Sequence, residues 1–270
     1  QSKMIGLFLG DSDFSVLVLK KIKKLKKKYF IIDFSKHNKF KKDINSHRIS
    51  IGKFGEILSL IKKKKSKKVL FAGKIAKPNF SSLKLDLKGI YYMPSVIRAS
   101  KLGDAAIIKS IIKILSNEGI KVISSISFNP ELSLKKGNYS KAKPSKHDII
   151  SIQKGKAYFN KLNNLDHIQA LVVADDKIIA REDRDGTKKM LSKLKKNSNG
   201  ILIKLPKTKQ DLRMDLPTIG LQTLKDIKKY GLRGIVLKSK KNIVLDKKEV
   251  INFANKNKIF INIIWKKFLY

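Results

Sequence analysis

Residues 207–220 read KTKQDLRMDLPTIG. Asp211 and Asp215 stand four apart with Arg213 between them, and Pro217, Thr218 and Gly220 follow at once. Two carboxylates projecting from a strand end into a cleft suit a divalent cation. A bound cation eases loss of a proton from water and offsets phosphate charge during attack. The planar guanidinium of Arg213 can clamp a phosphate oxygen. Pro217 fixes the chain, and Thr218 with Gly220 starts a helix. Asp211 and Asp215 can share a helical face or flank a bent loop. A solvated loop of Asp–Lys pairs would use the same letters.

Three other stretches have residue types suited to phosphate. LGDSDF (9–14) is a strand-to-helix turn containing Gly10, and unpaired N–H groups at such a helix start attract anions. The dinucleotide fingerprint of three glycines is missing there. Only Gly6 and Gly10 are present, with acids at 11 and 13, which argues against an NAD site. AGKIAKP (72–78) lies at the C-terminal end of an expected strand, where open parallel sheets bind ligands. Gly73 would let the backbone approach a ligand, and Lys74 or Lys77 would meet phosphate. REDRDGT (181–187) groups Glu182, Asp183 and Asp185 before Gly186 and Thr187. Carboxylates at a strand end can hold Mg²⁺, and the helix start can hold phosphate. A capped helix, a solvated loop and a capping turn are the respective plain alternatives.

These stretches need strands and helices to position them, and the chain supplies an alternation. Strands are expected at 3–10, 29–34, 48–52, 68–75 and 121–126, with helices near 11–28, 55–65 and 103–119. Periodicity lapses from Asn129 to Pro144, where Pro, Gly, Asn and Ser gather. It resumes with a helix at 147–164, two strands around a tight turn at 175–177, and a helix at 187–196. A strand at 200–206, a helix at 221–230, strands within 234–245, a helix at 247–257 and a strand at 259–264 complete it. Strands alternating with helices predict parallel sheets covered by helices. The expected plan is α/β in two domains: a Rossmann-like N-terminal domain at 1–130, a linker at 131–146 and a catalytic domain at 147–270.

Composition removes several classes. With 270 residues and 42% hydrophobic content, the chain can bury a core. Its apolar runs are too short to cross a bilayer, and Met4 leads straight into a strand-like run, so no secretory leader is expected. The absence of cysteine excludes disulfides, thiolate–zinc sites and thiol catalysis. The four histidines lack metal-ligand spacing, and no P-loop or nucleophile elbow occurs. The net charge of +41 attracts polyanions without choosing one. Only six of the 62 basic residues are Arg, and the Lys are spread along the chain among many Ile and Asn, a bias that A/T-rich coding also produces. A nucleic-acid binder more often clusters Arg and aromatics on one face. The charge would still favour an anionic lipid surface.

Taken together, KTKQDLRMDLPTIG, the segment 231–261, AGKIAKP, GDAAIIKSI and QALVVADDKIIAREDRDGTKKML resemble, in order, the UDP-2,3-diacylglucosamine pyrophosphatases of lipid A synthesis. This is the family unrelated to the calcineurin-like metallophosphoesterases. Where that family carries a glycine-rich turn, this chain reads LGDSDFSV. The resemblance implies two α/β domains with the substrate between them. It implies Mg²⁺-assisted attack of water on the α-phosphorus, releasing UMP and 2,3-diacylglucosamine 1-phosphate. By motif position it makes Asp215 the metal ligand or water activator and Asp211 its partner. Arg213 and Lys204 would contact phosphate, and Gly186 and Thr187 would line the phosphate site. It further implies a lipid-linked nucleotide as partner, no nucleic acid, and a cytoplasmic location on the inner membrane's face, with a homodimer left open. Two rivals are a cationic nucleic-acid binder and a sugar-nucleotide binder without hydrolase activity. Release of UMP from the lipid nucleotide with weak DNA retention separates them.

Overall fold

Short apolar runs that do not alternate with polar residues, such as IGLFL and KVLFA, are strands covered on both faces. The computed structural model describes residues 4–162, 168–183, 185–206, 211, 213 and 216–265, and for residues 104 and 105 the backbone alone. The chain divides into two units, Gln1–Pro130 and Glu131–Tyr270.

In the first unit, strands β1 (Ile5–Leu9), β2 (Tyr29–Asp33), β3 (Ser46–His47), β4 (Lys68–Ala72) and β5 (Lys121–Ile123) are all parallel and lie in the order β3-β2-β1-β4-β5. Leu7 registers with Ile31 on one side and Leu70 on the other, and all three are fully buried. The strand order reverses between β1 and β4, so their C-terminal ends flank the topological switch point. Helix α1 (Asp13–Lys24) turns Phe14, Val18, Leu19 and Ile22 inward, and α2 (Phe54–Lys63) does so with Phe54, Ile57 and Ile61. The expected strand at 48–52 forms instead at Ser46–His47. Arg48 reaches back to the carbonyls of Asp33 and Ser35, and Lys53 N–H closes a turn on Ser50.

Two further helices, α3 (Leu87–Leu102) and α4 (Asp104–Asn117), complete the unit. The pattern gave no warning of α3. Gly89 and Pro94 punctuate it, and only Gly89, Met93 and Val96 are buried, too few to print an inward period. Asp86 caps it, accepting from Gly89 N–H at 2.7 Å and from Glu56 N–H at 2.9 Å. On the edge strand β3, burial first, then the charges of Lys64 and Lys63, hold the His47 imidazole below its usual pKa. The unfolded chain therefore takes up this proton more readily than the folded one. This contribution to stability is complete above about pH 6.5 and is lost as pH falls toward the lowered pKa. The urea midpoint is expected to drop between about pH 7.5 and pH 5.5, and His47→Gln to flatten that slope.

The second unit is built on strands β7 (Ala170–Ala174), β8 (Lys177–Arg181), β9 (Ile201–Lys204), β11 (Gly234–Lys238) and β13 (Phe260–Ile264), with a short β6 (Gly137–Asn138). Their order is β6-β13-β11-β9-β7-β8. Here β9, β11 and β13 are parallel, while β7 runs against β9 and β8 against β7. Alternate side chains go to opposite faces. Ala170, Val172, Leu202, Ile235 and Ile261 pack with α6 (Gly186–Ser192), α7 (Leu221–Lys229) and α8 (Lys247–Lys256). Leu171, Val173, Ile201, Ile203 and Val236 pack with Ile152 and Phe159 of α5 (Lys146–Lys161). A parallel two-stranded ladder, β10 (Thr218–Ile219) with β12 (Ile243–Val244), lies outside the main sheet.

The stretch 131–146, read from sequence as a linker, packs within this unit. Leu134 sits in its core, and β6 pairs with β13. Fully buried Asn242 accepts from Leu134 N–H at 2.9 Å and donates to Leu134 C=O at 3.0 Å and Lys238 C=O at 2.7 Å. Loss of periodicity marked polar anchoring of this segment by side chains that lie far along the chain.

Candidate active site

In the first unit, the loops leaving β1 and β4 bring Gly10, Gly73 and Lys74 together at the switch point. They meet backbone to backbone. Asp11 and Lys74 exchange both N–H···O=C bonds, each at 2.8 Å, and Gly10 N–H donates to Ala72 C=O at 2.9 Å. A Cβ on Gly10 would drive into the Lys74 carbonyl, with the carbonyl carbon only 2.6 Å away. Gly73 adopts φ +84° and would press a Cβ against Ser12 Oγ at 2.9 Å, a backbone region that favours glycine. Ser15, fully buried, donates to Gly10 C=O at 2.9 Å. The sequence reading took Gly73 as room for a ligand; in the structure both glycines make room for the neighbouring loop. Lys74 remains exposed at this edge. Gly10→Ala is expected to destabilise the protein by about 2–3 kcal/mol, since neither carbonyl nor strand can retreat. Urea unfolding followed by far-ultraviolet circular dichroism measures it.

In the second unit, β8 and β9 point the same way, and the residues at their C-terminal ends converge. Lys204 Nζ donates to Thr187 Oγ1 at 2.9 Å, and the Thr187 hydroxyl donates to Glu182 Oε1 at 2.7 Å. Glu182 Oε2 accepts from Gln169 N–H at 2.7 Å. The Glu182 side chain is buried at 7% exposure, so its carboxylate is an internal anchor. Gly186, at φ +86°, makes the turn that returns Thr187 over it. The acids expected from sequence to suit Mg²⁺ are bonded here to the unit's own groups. Glu182 is engaged through both oxygens. Asp183 binds Lys193 at 2.9 Å through one oxygen and Asp185 N–H through the other, and Lys193 holds its pKa below the usual value. Among the described residues no group of three or more His, Asp or Glu side chains is placed to hold a metal ion.

Beyond β9, Asp211 and Arg213 form a fork. Arg213 Nε donates to Asp211 Oδ1 at 2.9 Å and Nη2 to Oδ2 at 2.6 Å, with Arg213 N–H also on Oδ1 at 3.0 Å. The pair raises the Arg213 pKa further. Asp211 thus meets any cation with both oxygens already engaged, and Arg213 meets any phosphate with two donors committed. Asp215 lies outside the described residues. Thr218 begins β10 and donates to Leu216 C=O at 2.9 Å, while Gly220 precedes α7 and its N–H meets Thr223 Oγ1 at 3.4 Å. Both serve the turn that ends the motif. The structure therefore joins Gly186, Thr187 and Lys204 in one cluster, Asp211 with Arg213 in a second, and Gly10, Gly73 and Lys74 in a third.

The anchor role of Glu182 escaped the sequence reading, yet a signal existed. Exposure alternates along β8 from Lys177 outward to Arg181 outward, and continuing that parity turns Glu182 inward.

The model of the LpxI N-terminal domain matches residues 4–132, and that of the LpxI C-terminal domain matches residues 135–262. The chain belongs to the LpxI family. A UDP-2,3-diacylglucosamine pyrophosphatase LpxI of Caulobacter vibrioides is 30% identical over 223 residues, covering 79% of this chain and 80% of that protein. The first sheet and all but the last two residues of the second thus fall within LpxI domains, and the Lys204–Thr187–Glu182 cluster lies in the C-terminal one.

Proposed function

We propose that this chain hydrolyses the pyrophosphate bond of UDP-2,3-diacylglucosamine in lipid A synthesis. Water attacks the α-phosphorus and releases UMP and 2,3-diacylglucosamine 1-phosphate. The observation that carries this reading is family membership across both halves of the chain, with a pyrophosphatase among its relatives.

The chemistry asks for positive charge near two phosphates and a carboxylate near water. Lys204, steadied by Thr187, supplies an ammonium at the end of β9, and Arg213 supplies a guanidinium beyond it. Mg²⁺ takes oxygen ligands, often one or two carboxylates together with substrate phosphates. The Asp211 and Asp215 carboxylates are of that type, with Asp215 the principal ligand because Arg213 already occupies Asp211. Bound there, Mg²⁺ would offset pyrophosphate charge and make water easier to deprotonate. Gly10, Gly73 and Lys74 would face the nucleotide side, and Thr218 and Gly220 would shape the far end of the acidic motif. Among the described residues no helix is long and apolar enough to cross a membrane. A cationic protein acting on an acylated substrate would work at the cytoplasmic face of the inner membrane.

The test incubates purified protein with UDP-2,3-diacylglucosamine, with Mg²⁺ or with chelator, in H₂¹⁸O. Mass spectrometry is expected to find UMP carrying the label and unlabelled 2,3-diacylglucosamine 1-phosphate, only with metal. Label in the lipid product instead would move the attack to the β-phosphorus. Absence of both products would end the reading.

A further inference from the structure

Helix α3 presents to solvent a stripe at helical spacing: Leu87, Ile90, Tyr91, Pro94, Arg98, Lys101 and Leu102 are all exposed. Leu87 is 85% exposed, Ile90 59%, Tyr91 75% and Leu102 72%. A soluble helix normally turns such a period inward; here the buried side holds only Gly89, Met93 and Val96. The neighbouring aromatic is already employed. Tyr92 donates to Glu118, which also receives Lys88 at 2.6 Å, and this leaves Tyr91 facing outward with its ring edge-on to Tyr92 at 4.9 Å.

The charges around the stripe select its occupant. Lys84, Arg98 and Lys101 border it, while Lys88 is paired with Glu118. Among the described side chains the flanking acids are already met, Asp86 by backbone N–H groups and Glu118 by Lys88 and Tyr92. A second copy would set this cationic border against its own like on a chain of net charge +41, whereas an anionic lipid surface complements it. An exposed apolar patch with a tyrosine at its edge and Arg98 and Lys101 beside it suits a membrane surface of anionic headgroups.

We propose that α3 is the membrane-docking element, lying flat on an anionic bilayer with Leu87, Ile90 and Tyr91 below the headgroups and Arg98 and Lys101 among the lipid phosphates. This rests on the reading of the chain as an enzyme of an acylated substrate, and it identifies the surface that meets the membrane holding that substrate.

Co-sedimentation with phosphatidylglycerol-containing vesicles and with pure phosphatidylcholine vesicles tests it, at physiological salt. The parent protein is expected to bind the anionic vesicles. The triple variant Leu87→Ser/Ile90→Ser/Tyr91→Ser, unchanged in charge, is expected to lose roughly tenfold or more of that binding. Ile44→Ser, which removes an apolar side chain that is 96% exposed elsewhere, should lose none. Arg98→Glu/Lys101→Glu is expected to weaken binding to anionic vesicles alone, and it stands in should the triple variant fold poorly. Turnover of detergent-dispersed substrate by the triple variant should match the parent, which separates docking from catalysis. Vesicle binding undiminished in both variants would overturn the proposal. So would a sedimentation-velocity shift from dimer to monomer in the triple variant with vesicle binding intact, which would make the stripe an interface between copies. If the parent binds vesicles as described yet hydrolyses nothing, the proposed function fails and the docking surface stands.

Discussion

Asp215→Ala is expected to lower turnover of UDP-2,3-diacylglucosamine by about a thousandfold or more, roughly 4 kcal/mol of barrier, while substrate binding stays measurable. The reasoning begins with its neighbour. Asp211 gives both oxygens to Arg213, two bonds of 2.9 and 2.6 Å in a fork, so its charge is largely met within the motif. On the proposed function, the carboxylate that would orient water, or ligate Mg²⁺ beside it, is Asp215. A group used chiefly as charge develops in the transition state affects kcat more than KM. Asp211→Asn should behave differently: it releases Arg213, and the cost should be near tenfold and appear mainly in KM. Steady-state kinetics on the two variants, with binding of unreacted substrate measured on Asp215→Ala, checks both halves. Equal losses in both variants would mean that the carboxylates act as one unit and that the fork opens on binding.

The alternation of strands and helices was legible because each run carries its own period. KVLFA, ALVVA and GIVLK are apolar throughout, as strands buried on both faces must be, and they became β4, β7 and β11. The hairpin at 170–181 was legible from its flanking strands. Its turn residues Asp175 and Asp176 both take positive φ, a conformation aspartate tolerates. Helix α3 was not legible, because a period that faces solvent looks like noise when an inward period is sought. The strand at 46–47 escaped because Arg48 pairs with backbone carbonyls across the sheet edge, a long-range contact without a local pattern. Within the candidate site, residue types single out segments but not the contacts their side chains make. Lys and Thr at 204 and 187 are 17 apart in sequence, and the ladders that β7 makes with β8 on one side and β9 on the other bring the two together. Gly73 reads from sequence as a close-approach position and Gly10 does not, yet at both it is the other loop that comes close. Sequence shows that room is needed, while topology decides for whom.

Lys204→Met is expected to reduce kcat/KM by about a hundredfold with little change in stability. The side chain is nearly isosteric, and Lys204 ends its strand rather than filling the core. What deserves separate measurement is whether the ammonium acts through its charge or through its placement, and the Thr187 bridge allows the two to be told apart. Glu182 accepts the Thr187 proton, which turns the hydroxyl lone pairs toward Lys204. Buried Glu182 thus sets the direction of a half-buried cation through one intervening oxygen. Thr187→Val removes the oxygen but keeps the shape and every charge. If charge alone matters, this variant runs at the parent rate. If placement matters, it loses about tenfold in kcat, Thr187→Ser restores most of it, and Glu182→Gln mimics the valine variant by supplying a donor where the hydroxyl needs an acceptor. Activity retained in both Lys204→Met and Thr187→Val would remove this end of β9 from the reaction and leave the phosphate charge to Arg213 and the proposed cation.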